Sequence, residues 1–327
     1  MISSQMNDPR AERQILAEVA RLYYLKDVSK VDIGQRLGVS RFKVARLLDL
    51  AREQGVVSIS IQGVAPIDLM ASHQLSEHWG LNAVVVDSSQ GSEVEVRRFV
   101  GLATAELFMD MVHPDDTVGI SWGRTLRAMT DFLTRLPRLS VVQLIGAVTS
   151  DLNESPVELV RRTSLSTGGK AYPIIAPAIF GEAGALAVLK TNPDVKAALD
   201  LFDHLDIAII AVGSWDPPAS QIRAVLGDAD RNLLDDLGVK AEVAGVFFDE
   251  EGNTVAQDFS DRYLSISAAQ LRRVPRVVAA AGGLIKLDAV RAVVKSGMIT
   301  DLVTDHTLAY AALHQGAVTP AANPHRG

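Results

Sequence analysis

Two stretches of this sequence combine residue types and spacings that could do chemistry. In the first, Gly119-Ile120-Ser121-Trp122-Gly123-Arg124-Thr125 follows a short apolar run and precedes a helical one. Small residues let backbone N–H groups close on an anion, and a following helix N-terminus adds positive potential. Ser121 and Thr125 offer hydroxyl donors and Arg124 a guanidinium, a set that suits a phosphate monoester. The same letters fit Gly-x-Ser-x-Gly, the nucleophile elbow of serine hydrolases. A triad would then draw on Ser121, Asp301 or Asp305, and His306. Two features count against it: no His-Gly-Gly oxyanion loop precedes Ser121, and Arg124 has no role in an esterase.

Further candidates for the same ligand stand at the ends of other apolar runs. Gly146 lies in the run 141–148, Gly213 follows 207–212, and Asp249 follows 243–248. Gly282 and Gly283 follow 276–281, and Lys286 sits one turn into the next helix, where it can meet a phosphate or a sugar hydroxyl. Polar groups gathered at the carboxyl ends of strands are what the crevice of an open α/β sheet provides.

The second stretch is basic. Residues 30–37 and 41–54 have helical spacing, with Ile33, Leu37, Val44, Leu47 and Leu48 turned inward. Gly38 supplies the positive φ that a tight interhelical turn needs, and Ser40 is placed as N-cap of the following helix. This is a helix-turn-helix, preceded by a helix over 11–26 bearing Ile15, Leu16, Val19, Leu22 and Tyr23 on one face and followed by a wing strand over 56–61. Its DNA-facing set is Lys30, Ser40, Arg41, Phe42, Lys43 and Arg46: phosphates demand cations, and bases are read by side chains of the first turns.

The elements that must position these residues follow from the pattern of the whole chain. Over 327 residues the formal charge is −7, which taken alone argues against nucleic acid. Its distribution reverses that inference. Ten Lys and Arg against seven acids leave residues 1–62 at +3, and the remainder at −10. From residue 81, apolar strand-like runs (83–86, 117–121, 141–148, 171–175, 207–212, 243–248, 276–281, 301–304) alternate with helical segments. That pattern predicts an α/β fold with a doubly wound, mostly parallel sheet, beside an N-terminal all-α helix-turn-helix domain of winged type. The expected organisation is a DNA-binding domain over 1–62, a linker helix within 63–80 that couples the domains, an effector-binding and oligomerisation domain over 81–316, and a disordered tail over 317–327. The absence of cysteine excludes disulfides, thiolate metal sites and a cysteine nucleophile, and the seven histidines show no zinc-ligand spacing. No cofactor and no metal are expected. No apolar run reaches the ~20 residues of a membrane span and residues 1–10 lack the apolar core of a signal peptide, so the expectation is a cytoplasmic protein without a membrane partner.

The stretch LGVSRFKVARLLDLAREQGVV (37–57) resembles the DNA-binding region of the SorC family of bacterial transcriptional regulators. The family's marks follow in order: GISWGRTL (119–126), VVQLIGAV (141–148), YPIIAPAIF (172–180), AVGSW (211–215), FFDEEG (247–252), RVVAAAGGLIK (276–286) and LVTD (302–305). The resemblance spans residues 11–315 and implies a non-enzymatic, homo-oligomeric (dimeric or tetrameric) regulator of a sugar or polyol catabolic operon. It also implies operator DNA and a phosphorylated sugar or polyol as partners, and a body similar to sugar-phosphate isomerases and glucosamine-phosphate deaminases. By motif, Ser121 to Thr125 would hold the phosphate, and Asp249 and Lys286 would contact the sugar end. Phe42-Lys43 departs from the small residues, such as Pro-Thr, that many members carry there, which leaves the operator sequence open. An isomerase-like enzyme using Asp249 as base is the alternative, and a serine hydrolase a more distant one.

Overall fold

The computed structural model describes residues 9–57, 64–88, 91–147 and 155–323. It divides into two compact units, Met1–Gly63 and Val64–Gly327. Positions 58–61 of the expected wing strand lie outside the described residues, as do 324–327.

In the first unit, α1 (Pro9–Ala20) runs on into a π-helical turn (Arg21–Leu25), followed by α2 (Lys30–Leu37) and α3 (Arg41–Glu53). Ser29 and Ser40 cap α2 and α3 by accepting from the N–H groups of Asp32 and Lys43, each at 3.2 Å. Gly38 closes α2 with φ 65°, a conformation that costs other residues a Cβ clash. Leu16, Val19, Ile33, Val44, Leu47 and Leu48 are buried together, so the helical spacing of apolar residues becomes one small core.

Among the described residues, the second unit is built on seven parallel strands. These are β1 (Asn82–Val86), β2 (Thr117–Ile120), β3 (Ser140–Gln143), β4 (Lys170–Tyr172), β5 (Ile207–Ala211), β10 (Arg276–Ala280) and β11 (Asp301–Asp305). Four short strands, β6 (Gly213–Ser214), β7 (Ala241–Val243), β8 (Val246–Phe248) and β9 (Thr254–Val255), form a separate antiparallel sheet. The large sheet runs β1-β11-β10-β5-β2-β3-β4. Its central strands are apolar runs buried on both sides, as expected where helices cover both faces. One face carries a core with Leu75, Phe202, Val293 and Leu308, the other a core with Phe108, Leu126, Met129 and Leu159. From β2 the chain steps outward through β3 and β4, then returns to place β5 on the other side of β2. The order reverses there, so β2 and β5 flank the topological switch point, where open sheets form ligand crevices at their carboxyl edge.

Three expectations are corrected. The run 243–248 is not one strand of the large sheet but the turn of the β7–β8 hairpin. Ala244 and Gly245, at φ 48° and 85°, reverse the chain, and Val243 pairs with Val246. The helix expected as a linker, α4 (Leu69–Trp79), belongs to the body. Ala71, Leu75 and Trp79 are buried in its core, and the hydroxyls of Ser72 and Ser76 accept from the N–H groups of Val85 and Ala83 at 2.8 and 2.9 Å, fastening the helix to β1. The tail is packed as far as residue 323. Val318 is buried, the Ala321 N–H donates to the Lys295 carbonyl at 2.9 Å, and Asn323 Nδ2 donates to the Arg272 carbonyl at 2.9 Å.

Candidate functional site

A cavity of ≈ 490 Å³ opens at the carboxyl edge of the large sheet, at the switch point between β2 and β5. Trp122, Gly123, Arg124 and Thr125 reach it from the loop after β2, and Ala211, Val212 and Gly213 from the end of β5. Gly282, Gly283 and Lys286 reach it from the loop after β10. The helix α5 (Glu93–Met111) adds Glu93, Val96 and Arg97, and β7 adds Glu242.

The loop after β2 owes its course to Gly123, whose φ of 144° and ψ of 152° are open to glycine alone. A Cβ there would also lie 2.8 Å from the Ala211 side chain. The chain then enters α6 (Arg124–Thr130), and the N–H groups of its first turn have no intrahelical acceptor. This helix ends at Thr130. Arg124 is exposed and makes no hydrogen bond or ion pair with another described residue. Thr125 and Trp122 are buried in the wall.

Across the cavity, Lys286 Nζ donates to the Val212 carbonyl at 2.7 Å. Burial, and after it the nearby Arg124 guanidinium, lowers its pKa to about 8 against the opposing pull of Glu242. Glu242 is almost fully buried, with Oε1 accepting from the Gly245 N–H at 2.8 Å and Oε2 from the Ser220 hydroxyl at 3.3 Å. Burial pushes its pKa up to about 7 against those hydrogen bonds and the Lys286 charge. Arg97 is held by Glu93 at 2.8 Å. Two positive groups, Arg124 and Lys286, therefore face the space without a carboxylate of their own, while the charge of Glu242 is partly suppressed. Such a site favours an anion with attached polar groups.

The structure brings eight of the twelve candidates together: Trp122, Gly123, Arg124, Thr125, Gly213, Gly282, Gly283 and Lys286. Four stand apart. Gly119 is a packing glycine inside β2, where a Cβ would meet Leu144 Cδ2 at 2.5 Å. Ser121 is fully buried, its Oγ accepting from the Ala211 N–H at 3.2 Å, which ties the β2 loop to β5. Gly146 lies against the Pro177 carbonyl, which a Cβ would approach to 2.6 Å. Asp249 is used by its own turn, accepting from the Glu251 and Asn253 N–H groups at 2.9 and 2.8 Å. The hairpin moves it off the large sheet and puts Glu242 in its place. Glu242, Glu93 and Arg97 were missed; the signal for Glu242 is a lone carboxylate beside an apolar run. The hydrolase triad has no support among these contacts, since His306 Nδ1 faces Asp68 Oδ2 at 3.3 Å while Ser121 serves Ala211.

In the first unit, Lys30, Arg41, Phe42 and Arg46 are exposed and Lys43 is half-buried. Phe42 and Arg46 stand opposite the buried Val44, Leu47 and Leu48, and Arg41 is exposed at the start of the helix. Ser40 is engaged as the helix cap. The arrangement is a basic helix start on a packed helical support, suited to a nucleic-acid groove. Among the described residues, no helix is long and apolar enough to cross a membrane.

Comparison with known proteins identifies the family. The model of the Sugar-bind family, a sugar-binding domain, matches residues 67–314. The erythritol catabolism regulatory protein EryD of Brucella abortus is 28% identical over 312 residues, covering 93% of this chain and 98% of its own. The sorbitol operon regulator of Klebsiella pneumoniae is 28% identical over 306 residues, covering 90% of this chain and 96% of its own. The crystal structure of the full-length sorbitol operon regulator SorC from Klebsiella pneumoniae matches with a TM-score of 0.69 at 26% identity, over 92% of this chain and 99% of that one. These relatives are regulators of transcription, not enzymes. A helix-turn-helix unit joined to this sugar-binding body, matched over nearly its full length, makes the chain a member of the SorC family of sugar-binding transcriptional regulators.

Proposed function

We propose that this protein regulates a sugar or polyol catabolic operon by binding operator DNA through its first unit, and that a phosphorylated sugar or polyol in the cavity of the second unit controls that binding. The observation that carries the reading is the meeting of Arg124 and Lys286, neither paired to a carboxylate, with the first turn of α6 at the switch point of the sheet. A phosphate takes the two cations, while the Thr125 hydroxyl and Glu242 meet hydroxyl groups of the carbon chain. The names of the relatives, which point to erythritol catabolism and a sorbitol operon, support a polyol or sugar as the metabolic context.

The protein acts as a homo-oligomer, a dimer or tetramer that sets paired α3 helices into successive major grooves. Effector and operator then influence each other's binding equally in free energy. The body carries the −10 share of the charge and repels DNA, which leaves contact to the +3 heads. The testing experiment is a thermal-shift screen of phosphorylated sugars and polyols, repeated with operator DNA. A compound that raises the melting temperature and changes operator affinity is the expected result. Stabilisation by unphosphorylated polyols alone would overturn the phosphate assignment.

A further inference from the structure

Phe42 stands 73% exposed at the second position of α3, on a surface whose other prominent members are charged. The buried side of the helix is Val44, Leu47, Leu48 and Ala51. Phe42 and Arg46 are one turn apart on the other side. The Ser40 cap fixes the start of the helix, so the ring is presented from a defined element. The Arg41 guanidinium lies over the ring, with Cζ 4.9 Å from its centroid.

A phenyl ring has no donor or acceptor, so it cannot hydrogen-bond a phosphate or a base edge. The cations around it (Arg41, Lys43 and Arg46) call for a polyanion, which excludes an apolar protein groove as the partner. In the major groove of duplex DNA, the apolar feature among the base edges is the thymine C5-methyl group. An apolar knob set among cations at the start of a recognition helix therefore matches one partner. With the ring in the groove, the guanidinium over it would come beside the same base step, where guanine O6 and N7 are the acceptors that match its fork.

We propose that Phe42 reads the C5-methyl group of an operator thymine, and that Arg41, stacked on its ring, reads a guanine at the adjacent base pair. This rests on the reading of the first unit as a duplex-DNA binder. It makes Phe42 a determinant of operator sequence rather than of general DNA affinity.

The test uses the full-length protein and an operator selected from a random duplex pool. Each thymine is replaced in turn by deoxyuridine, which removes only the methyl group. The expected result is one thymine in each half-site whose replacement weakens wild-type binding about fourfold, the effect of one buried methyl group. That sensitivity is expected to vanish in Phe42→Ala and to persist in Phe42→Leu. Both variants should melt as the wild type does, because the ring is exposed. Replacing the adjacent guanine by 7-deazaguanine should weaken the wild type but not Arg41→Ala. Equal uracil sensitivity of wild type and Phe42→Ala, or none in either, would overturn the proposal while leaving duplex binding intact. Failure to enrich any duplex would overturn the DNA reading and this proposal with it.

Discussion

Gly213 and Glu242 face each other across the first rung of the antiparallel sheet, so closely that a Cβ on Gly213 would lie 2.8 Å from Glu242 Oε2. The glycine leaves room for a buried carboxylate to reach the cavity from β7 while still accepting from the Gly245 N–H. Gly213→Ala should displace that carboxylate and lower stability by about 1–3 kcal/mol, the usual cost of overpacking a filled site. Urea unfolding of the variant beside the wild type measures this. An unchanged midpoint would mean that Glu242 can move aside without loss.

Removing the cations should separate ligand response from folding. Arg124 is exposed and unpaired, so Arg124→Ala should leave the unliganded melting temperature unchanged. A charge-assisted contact is worth about 1.5–3 kcal/mol, so affinity for a phosphorylated ligand should fall about tenfold to a hundredfold. Lys286→Met should do the same while sparing basal stability, since it removes a desolvated charge. Calorimetric titration of each variant with the ligand found by thermal shift checks both outcomes.

The pH dependence follows from the buried Glu242 and the half-buried Lys286. Glu242 is raised on folding from 4.5 to about 7, chiefly by burial. It contributes stability that is complete below about 4.5 and is lost as pH rises through about 7. Lys286 is lowered from 10.5 to about 8, so it contributes stability that is present above about 10.5 and lost as pH falls through about 8. An anion needs Lys286 charged and Glu242 neutral, and both conditions weaken as pH rises. The ligand-induced rise in melting temperature should therefore be larger near pH 6.5 than near pH 9, by roughly tenfold in affinity. Lys286→Met should flatten most of that difference. An equal ligand shift at both pH values would contradict the placement of the phosphate beside Lys286.

The parts of this molecule that could be read from its sequence are those governed by local periodicity. The helices Glu93–Met111 and His306–Leu313 and the capped turn at Gly38-Val39-Ser40 follow directly from spacing, caps and turn residues. The hairpin at Ala244-Gly245 did not, because an alanine at φ 48° inside an apolar run gives no propensity signal. That one turn exchanged the site residue: it removed Asp249 from the sheet edge and supplied Glu242 instead. The four misplaced candidates share a second cause. In Gly119 and Gly146 a missing side chain serves packing, and in Ser121 and Asp249 the polar atoms are consumed by the backbone. Residue type cannot separate those uses from ligand binding.

The basic face of α3 carries its own prediction. Arg46 stands one turn beyond Phe42 and is exposed. If it neutralises one phosphate per protomer, Arg46→Ala should reduce the slope of log affinity against log salt by about 0.9 for each head bound. Affinity should fall across operator variants alike, whereas Phe42→Ala should change their ranking. Titrating operator binding at several salt concentrations distinguishes the two.

Ser121 offers the sharpest test of the enzymatic alternative. Its hydroxyl is fully buried and accepts from the Ala211 N–H, which holds the loop after β2 against β5 and so places Gly123 and Arg124. Ser121→Ala leaves that amide without a partner and should lower stability by about 1–3 kcal/mol. The ligand-induced shift should weaken only as far as the loop loosens. A phosphonate probe should not label the wild type, because the hydroxyl is inaccessible and no histidine stands against it among the described contacts. Covalent labelling that vanishes in Ser121→Ala would require the loop to open and would reinstate the nucleophile. Equal melting temperatures for Ser121→Ala and wild type would show that the Ala211 contact does not hold the loop.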